Sequence, residues 1–309
     1  MGIIINLEEL DRYLGKVEAV FDTELIMKQE VTNESIIKYY EESEFGYHAI
    51  HSAEGSIHMA LNFDGSFSKD GYYEQGRTVN RQLTLTNAKK ILELASGNGF
   101  NSIFLAQNNP DVNFEGIDLS PSHVAMATKK ADELNLKNVC FNIESFQSLS
   151  FPEKLFDILF EVESICHASD MRLALTEAYR VLKPNGRFIL FDGFRKRDFE
   201  KLSPNIRRAS KLVEISMAVG KGIEIDKWLA LAHEAGFIEV EVSEISEAIM
   251  PNLKRFQRLA RGYFKYSRVA NVILQQLPPE LVMNSIAGLL MPFTISLGAQ
   301  GYYRIVLEK

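Results

Sequence analysis

A short glycine-rich turn is the feature of this sequence with the clearest chemistry. An aliphatic run carries Glu93 into the turn, and Gly97 and Gly99 stand within it before a helical pattern begins. Glycines at such a place let the backbone turn sharply and approach a ligand closely. The next aliphatic run ends in Asp118, where a carboxylate can accept two hydrogen bonds from a ribose diol. The pair predicts a site for a nucleoside-containing cofactor, although a turn of this kind can also be purely structural.

Two cofactor classes fit this pattern, nicotinamide dinucleotides and S-adenosylmethionine. Glu93 favours S-adenosylmethionine, because its carboxylate would attract the cationic amino group of that cofactor and would repel a diphosphate. The third glycine of a dinucleotide-binding turn would fall at position 102, where this chain has Ser102. The glycine-bearing unit also begins well inside the chain, behind a helical leader that could form a cap.

Six short aliphatic or β-branched runs alternate with amphipathic helical patterns through the middle of the chain. This alternation predicts βαβ crossovers and a doubly wound, mostly parallel α/β sheet. A helical excursion at about residues 246–300 precedes a final strand, Tyr302–Glu308, which brings the predicted Rossmann-like sheet to seven strands. We therefore expect a helical N-terminal cap over residues 1–86 and a core over residues 87–309, with the excursion as a lid. The six runs are Lys90–Leu94, Val112–Leu119, Val139–Glu144, Phe156–Val162, Arg187–Phe194 and Ile238–Ser243.

The order of these motifs resembles the class I S-adenosylmethionine-dependent methyltransferases over about residues 87–237. No single motif is specific, but their joint order and spacing are. The resemblance implies that the chain uses S-adenosylmethionine as its cofactor. The matching segments are ELASGNG at 93–99, GIDLS at 116–120, NIESF at 142–146, FDILF at 156–160, RVLKPNGRF at 180–188 and EAGF at 234–237.

The resemblance also implies roles for individual residues. Glu93 would hold the methionine amino group or shape its pocket, the two glycines would make room for the methionine moiety, and Asp118 would bind the ribose hydroxyls. Residues 144–146 would frame the adenine. Ala95 departs from the family pattern, which usually has glycine there, and alanine is tolerable if its φ is negative. The predicted cofactor-binding residues are Glu93, Ala95, Ser96, Gly97, Gly99, Asp118, Leu119, Glu144, Ser145, Phe146 and Glu161.

A second, shorter resemblance concerns the acceptor site. Residues 163–167, ESICH, resemble a segment of methyltransferases that act on sterols, tocopherols and related prenyl lipids or natural products, and Tyr39-Tyr40 resembles the start of the same group. Methyl transfer to an alkene carbon leaves a carbocation, which needs aromatic or carboxylate stabilisation and a base. We expect Glu163 to be the base or cation stabiliser and His167 a relay or alternative base, with Tyr39 and Tyr40 closing over the cofactor. The structural alternatives are a capping carboxylate, a locally hydrogen-bonded histidine and packing tyrosines.

The lid carries basic residues from Lys254 to Arg268 in a stretch without acids, and most of them are three or four positions apart. This stripe would suit a substrate diphosphate or an anionic lipid surface, or it is a solvated helix face or an oligomer contact. We predict that Arg255, Arg258, Tyr263 and, from the leader, His58 contact the substrate. His48 and His51 lie in the same leader.

Composition narrows the remaining choices. The formal net charge of −7 disfavours nucleic acid as a partner. Cys140 and Cys166 lie in apolar stretches, so we expect both to be buried and reduced in a cytoplasmic protein, without a metal site. The favoured function is C-methylation of an isoprenoid or other lipid-like small molecule, such as a prenyl diphosphate. The alternatives are N- or O-methylation of a small natural product and a nicotinamide-dependent oxidoreductase, and peripheral membrane contact and homo-oligomerisation stay open.

Overall fold

The computed structural model describes residues 5–265 and 276–309. Its strands are β1 Lys90–Leu94, β2 Asn113–Asp118, β3 Val139–Ile143, β4 Phe156–Val162, β5 Leu182–Arg195, β6 Ile238–Glu244 and β7 Gln300–Glu308. They form one sheet in the order β3-β2-β1-β4-β5-β7-β6. Strands β1 to β5 pair in parallel, and β7 runs antiparallel to β5 and to β6. The predicted seven-stranded, mostly parallel Rossmann-like sheet is confirmed.

Helices cover both faces of this sheet. The α-helices are α1 Leu7–Glu18, α2 Thr23–Ile26, α3 Asn33–Gly46, α4 Glu74–Thr86, α5 Phe100–Asn108, α6 Pro121–Glu133, α7 Met171–Val181, α8 Pro204–Ser216, α9 Ile225–Ala235, α10 Ser246–Tyr263 and α11 Pro279–Ser296. A π-helical turn spans Tyr47–His51, and short 3-10 turns span Lys69–Tyr73, Ile165–His167 and Phe199–Lys201.

The central strands are buried on both faces, as the sequence of β4, FDILFEV, requires for a parallel strand between helical layers. Strand β5 begins at Leu182 rather than at Arg187, because Leu182 already pairs with Phe156 of β4. Strand β7 begins at Gln300, which pairs with Arg195 at the far end of β5. The last residues of β5 therefore extend beyond β4 and are supported by β7 instead.

The leader and the excursion pack into the same layer. Helix α11 contacts α10, α8, α3 and α1. Residues from α1, α8, α10 and α11 belong to one hydrophobic cluster, in which Tyr13 of α1 meets Phe293 of α11 with ring centroids 5.7 Å apart. A second cluster, centred on the fully buried Trp228 of α9, fills the space between the other face of the sheet, α7 and α9. The helices of the first layer stand over the carboxyl ends of the strands, where a ligand would bind.

The prediction that both cysteines are buried is wrong. Cys140 is exposed, because it lies on the edge strand β3, and its thiol donates to Oε2 of Glu115 over 2.6 Å. Cys166 is half-buried. Among the described helices, none is long and apolar enough to cross a membrane.

Candidate active site

A cavity of about 1000 Å³ lies at the carboxyl ends of the strands. It extends from the β2 side of the sheet, where Asp118 and Phe146 line it, to the β7 side, where Gln300 and Ile295 line it. Helices α3, α8, α10 and α11 close it on the side away from the sheet. Its volume is at the upper end of the range of about 300–1,000 Å³ typical of ligand pockets, so it can hold a cofactor with a second small molecule beside it.

The glycine-rich turn has three residues with positive φ: Ala95 at 51°, Gly97 at 53° and Gly99 at 80°. A Cβ on Gly99 would lie 2.7 Å from Cζ of Phe141, so protein packing as well as φ requires a glycine there. The condition under which alanine would be tolerable here, a negative φ, is not met. This alanine occupies the left-handed region, which costs a non-glycine residue about 1–2 kcal/mol, and its side chain lines the cavity.

Glu93 stabilises the turn by hydrogen bonds to the first residues of α5. Its side chain is buried, with Oε1 accepting from Asn101 Nδ2 over 3.2 Å and Oε2 accepting from the Ser102 N–H and hydroxyl over 3.1 and 2.5 Å. Burial raises the pKa of Glu93 to about 7. Ser102 stands where a dinucleotide-binding turn would have its third glycine, and here it is a hydrogen-bond partner of Glu93. Glu93 does not line the cavity, so the structure favours pocket shaping over direct contact with an amino group.

Asp118 faces the cavity and is held at its rim. Its Oδ2 accepts from the Gly97 N–H over 2.8 Å, and its Oδ1 accepts from the Ser120 N–H over 2.9 Å. A carboxylate oxygen accepts more than one hydrogen bond, so both oxygens keep capacity for a ribose diol. Ser120 also caps α6, because its hydroxyl accepts from the His123 N–H, which fixes the backbone that follows Asp118.

The predicted adenine end is only partly open to the cavity. Leu119, Glu144 and Phe146 line it. Both carboxylate oxygens of Glu144 accept from Ser150, over 2.6 and 3.1 Å. Ser145 and Ser96 do not line the cavity, and a Cβ on Gly116 would lie 2.8 Å from the buried Ser96 hydroxyl. An apolar wall of Leu119 and Phe146 beside the Asp118 carboxylate fits an adenosine group.

Glu163 follows β4 and lies at the centre of the cavity wall. Its φ is 56°, a conformation that costs a residue other than glycine free energy and therefore needs support from its neighbours. Its Oε1 accepts from the Met59 N–H over 2.8 Å and from the Tyr302 hydroxyl over 2.7 Å. No other described residue contacts its Oε2 by a hydrogen bond. Burial raises the pKa of Glu163 to about 8, and the residue lines the cavity.

His167 has both ring nitrogens in use. The Nδ1–H donates to the Ala218 carbonyl over 2.9 Å, which leaves Nε2 to accept from the Tyr40 hydroxyl over 3.0 Å. Burial lowers the pKa of His167 and raises that of Tyr40 well above its ordinary value. The Tyr40 hydroxyl therefore lies on the Nε2 side of this imidazole, and His167 itself also lines the cavity. With both ring nitrogens hydrogen-bonded to the protein, the arrangement is compatible with the predicted relay role of His167.

Tyr39 and Tyr40 of α3 form hydrogen bonds with different parts of the protein. Tyr40 lies against His167, whereas the Tyr39 hydroxyl donates to Oδ1 of Asn284 on α11 over 2.5 Å and lies 2.9 Å from the Tyr47 hydroxyl. Both tyrosines line the cavity. Helix α3 is thereby tied to the lid through Tyr39 and to the acceptor site through Tyr40.

Glu161 lies in β4, two residues before Glu163, and is completely buried. Its Oε2 accepts from the N–H groups of Ser164 and Ile165 and from the Ser164 hydroxyl, all within 3.1 Å. It therefore holds the 3-10 turn between Glu163 and His167 and does not line the cavity. Burial and the nearby Asp192 raise its pKa well above the ordinary value.

Of the four residues expected to bind substrate, Tyr263 lines the cavity and the other three do not. Tyr263 lines the cavity, whereas His58 is buried behind it, and burial lowers the pKa of His58 to about 4. Arg258 is exposed and does not line the cavity. Arg255 donates to the His51 carbonyl over 3.3 Å and lies over the Phe67 ring. Neither arginine is aimed at a ligand in the cavity.

His48 is exposed, whereas His51 stacks on Phe256 with ring centroids 4.9 Å apart. Arg268, at the end of the basic stripe, lies outside the described residues. Among the described residues, no group of histidine, cysteine and acidic side chains has the arrangement of a metal site.

Two residues of the site were missed by the sequence analysis. Tyr302 reaches Glu163 from β7, and nothing in the local sequence links them. Asp192 lines the cavity and accepts from the N–H groups of Cys166 and Gly193 over 3.0 and 2.6 Å, and burial raises its pKa to about 6. An acidic residue near the carboxyl end of a predicted strand was the available signal for Asp192, as it was for Asp118.

Comparisons with known proteins agree with this geometry. A family described as a methyltransferase domain matches residues 85–236. The chain is 30% identical over 249 residues to the S-adenosyl-L-methionine-dependent Diels-Alderase iccD of Talaromyces variabilis, a match that covers 76% of this chain and 83% of that protein. It is 25% identical over 207 residues to erythromycin 3''-O-methyltransferase of Saccharopolyspora erythraea, covering 60% and 67% of the two chains. Among solved structures, the [4+2]-cyclase SpnF matches with a TM-score of 0.72 at 20% identity, covering 91% of this chain and 97% of that one, which shows a common fold.

Proposed function

Because the chain belongs to the class I S-adenosylmethionine-dependent methyltransferases, we propose that it transfers a methyl group to a neutral, lipid-like small molecule held in the cavity. Its cofactor is S-adenosylmethionine and not a nicotinamide dinucleotide. The observation that carries the proposal is the unpaired Oε2 of Glu163, which faces the middle of a cavity whose one end carries the Asp118 carboxylate. Carbon is the favoured acceptor atom, and a hydroxyl oxygen is the alternative.

When bound, S-adenosylmethionine supplies an electrophilic methyl group. Asp118 would hold the ribose at the β2 side and so leave the remainder of the cavity to the acceptor. Glu163, in its ionised form, would accept the proton that the acceptor loses at Oε2, while Tyr302 and Met59 keep its Oε1 in place. The aromatic faces of Tyr40, Tyr47 and Tyr302 would stabilise positive charge on a methylated alkene.

The position of the basic residues bears on the choice of acceptor. Arg258 faces solvent and Arg255 lies over Phe67, so neither supports binding of a diphosphate inside the cavity. The side chains that face the acceptor region are mostly apolar or aromatic, among them Met291, Ile295 and Tyr263. A neutral isoprenoid or polyketide therefore fits better than a prenyl diphosphate. The stripe on α10 stays a candidate for contact with a membrane or with a second copy of the chain.

A second candidate is a cofactor-dependent cyclisation that consumes no methyl group. It is favoured by the 30% identity with a protein named as a Diels-Alderase and by the raised pKa of Glu163. A neutral Glu163 carboxyl could donate a hydrogen bond from Oε2 to a carbonyl of the substrate and thereby polarise a conjugated alkene. In this alternative the cofactor would shape the cavity without reacting.

Product analysis separates the two candidates. The purified protein is incubated with a panel of sterols, quinols, neutral polyenes and one prenyl diphosphate, with either S-adenosylmethionine or S-adenosylhomocysteine. We expect a product that has gained one methyl group, formed only with S-adenosylmethionine and in equal amount to the S-adenosylhomocysteine released. An isomerised product that forms with either cofactor would contradict methyl transfer and support cyclisation. The Asp118→Ala variant is the control that should lose either activity.

A further inference from the structure

The far end of the cavity contains a buried ion pair. Arg195, the last residue of β5, donates from Nε to Oε1 of Glu214 over 2.8 Å and from Nη2 to Oε2 over 2.5 Å. The two side chains are 11% and 6% exposed, and both line the cavity. Removing two charges from water is costly, so a pair in this position calls for a reason beyond stability.

The hydrogen-bond capacity of the pair is used unequally. Oε1 of Glu214 also accepts from Gln300 Nε2 over 3.2 Å and from the Ser210 hydroxyl over 3.3 Å, so this oxygen is fully occupied. The guanidinium lies over the Phe199 ring, 4.3 Å from its centroid. Its third nitrogen, Nη1, has no acceptor among the described residues. Nη1 is not fully enclosed by protein atoms, and the Arg195 side chain lines the cavity. We infer that a ligand in the cavity can reach Nη1.

The pair is also held at a defined place. A Cβ on Gly222 would lie 2.3 Å from Oε1 of Glu214 and 2.8 Å from Nε of Arg195, so the backbone at Gly222 packs directly on the pair. The Arg195 N–H donates to the Ile223 carbonyl over 2.9 Å. A donor fixed in this way is suited to selecting a ligand by the position of one acceptor atom.

The sheet sets the distance of this donor from Glu163. The Glu163 N–H donates to the Phe191 carbonyl, and Arg195 stands four residues further along β5. At about 3.3 Å per residue, this places the Arg195 backbone about 13 Å from the backbone at Glu163. Phe194, Met291 and Ile295 line the cavity in this region. A ligand that fills the space would be apolar along its length, with one polar atom at its far end.

We propose that Arg195 and Glu214 form a specificity subsite that binds a neutral carbonyl or hydroxyl oxygen at the end of the substrate remote from the reacting atom. The proposal rests on the proposed function, because the substrate is the molecule held beside the cofactor. A neutral acceptor is expected, since the charge of Arg195 is already balanced by Glu214 and Nη1 still has a hydrogen bond to donate. The pair binds and orients the substrate and takes no part in the chemical step.

The test uses methyl nonyl ketone, a chain of suitable length, with undecane and undecanoate as matched probes. Binding to the full-length protein saturated with S-adenosylhomocysteine is measured by equilibrium partitioning of each probe. We expect the hydrogen bond from Nη1 to raise the affinity of the ketone relative to that of the alkane by about tenfold, the value of one hydrogen bond from a charged donor. In Arg195→Met/Glu214→Met, which replaces the pair by apolar side chains, this preference should disappear while cofactor affinity is unchanged.

Arg195→Lys serves as a second variant, because it keeps the ion pair but lacks the third nitrogen, and it should also lose the preference. The proposal is overturned if the ratio of ketone affinity to alkane affinity is the same in the wild-type protein and in the double variant, or if undecanoate binds more tightly than the ketone. If the wild-type protein does not bind S-adenosylhomocysteine, the proposed function itself is contradicted. The two failures are therefore distinguishable.

Discussion

Tyr302 of β7 and Glu163, which follows β4, are joined by a hydrogen bond of 2.7 Å from the phenol to Oε1. The Met59 N–H donates to the same oxygen, so one face of the carboxyl group is fully engaged and Oε2 is left for the cavity. Both donors favour the ionised form, yet burial has the larger effect and raises the pKa of Glu163 to about 8. This group therefore changes its protonation near neutral pH, as acid–base catalysis requires.

Replacing Glu163 by glutamine should abolish most turnover without weakening cofactor binding. Glutamine keeps an Oε1 acceptor for Tyr302 and Met59 but cannot take a proton, so kcat should fall by about 10²–10⁴-fold. Single-turnover rates and calorimetric titration with S-adenosylhomocysteine measure the two effects. Tyr302→Phe is the matched control: it removes a donor to the carboxylate, so its activity should be low at neutral pH and recover at higher pH. Normal turnover by Glu163→Gln would remove this residue from the mechanism.

The pH dependence of kcat/KM should reveal which form of Glu163 is active. If the ionised carboxylate is the base in methyl transfer, kcat/KM rises as the pH increases through about 8. If the neutral carboxyl donates a hydrogen bond in a cyclisation, kcat/KM falls over the same interval. The profile of the free enzyme, measured between pH 6 and 10, distinguishes the two candidates by its sign. A flat profile would be inconsistent with both roles.

The same raised pKa predicts a stability effect. The folded protein holds the Glu163 proton more tightly than the unfolded chain, whose glutamate titrates near 4.5. The contribution of Glu163 to the free energy of unfolding therefore decreases as the pH rises from about 4.5 to about 8, and is constant above that. Denaturant unfolding of wild type and Glu163→Gln across this range tests it: the difference between the two should grow in favour of the variant with rising pH. A pH-independent difference would mean that burial does not raise this pKa.

Asp118→Ala should weaken S-adenosylhomocysteine binding by about ten- to a hundredfold, because hydrogen bonds to a charged group contribute about 1.5–3 kcal/mol. The matched control is Asp157→Ala. Asp157 accepts from the N–H groups of Lys89 and Lys90 at the amino ends of the central strands β1 and β4, over 3.0 and 2.9 Å, so its loss should lower stability and spare binding. Calorimetry together with thermal unfolding measures both. Equal binding losses in the two variants would show that Asp118 acts only through the fold.

Ala95→Gly should tighten cofactor binding and leave the melting temperature almost unchanged. Removing the Cβ relieves about 1–2 kcal/mol of left-handed strain, and the greater freedom of glycine in the unfolded chain offsets about 0.5–1 kcal/mol of that gain. The methyl group also leaves the cavity wall. Asn87→Gly, at the end of α4 with the same φ of 51° but away from the cavity, is the control that should not alter binding. Weaker binding by Ala95→Gly would show that this methyl group contacts the cofactor favourably.

Local sequence was sufficient for the cofactor half of the site. Gly97, Gly99 and Asp118 are connected by one strand, one turn and one helix, so their spacing predicted both the sheet and the place of the carboxylate. Local spacing also located Glu163 at the end of β4. It failed for Ala95, whose positive φ is imposed by the turn as a whole.

The acceptor half depends on contacts between distant parts of the chain. The Tyr302–Glu163 and Tyr40–His167 hydrogen bonds join residues 139 and 127 positions apart, and no periodicity encodes such partners. Helical spacing predicted a basic stripe on α10 but not the direction it faces. The rotation of that helix is fixed by α11, which packs on its apolar side and leaves Arg258 in solvent.

The most direct test of this account is a crystal structure of the protein with S-adenosylhomocysteine. We expect the ribose hydroxyls on Asp118, the adenine beside Phe146, and the sulfur facing the space between Glu163 Oε2 and Tyr40, with the β7 side of the cavity still open. A cofactor whose sulfur is separated from Glu163 by other side chains, or one that fills the cavity as far as Arg195, would contradict it.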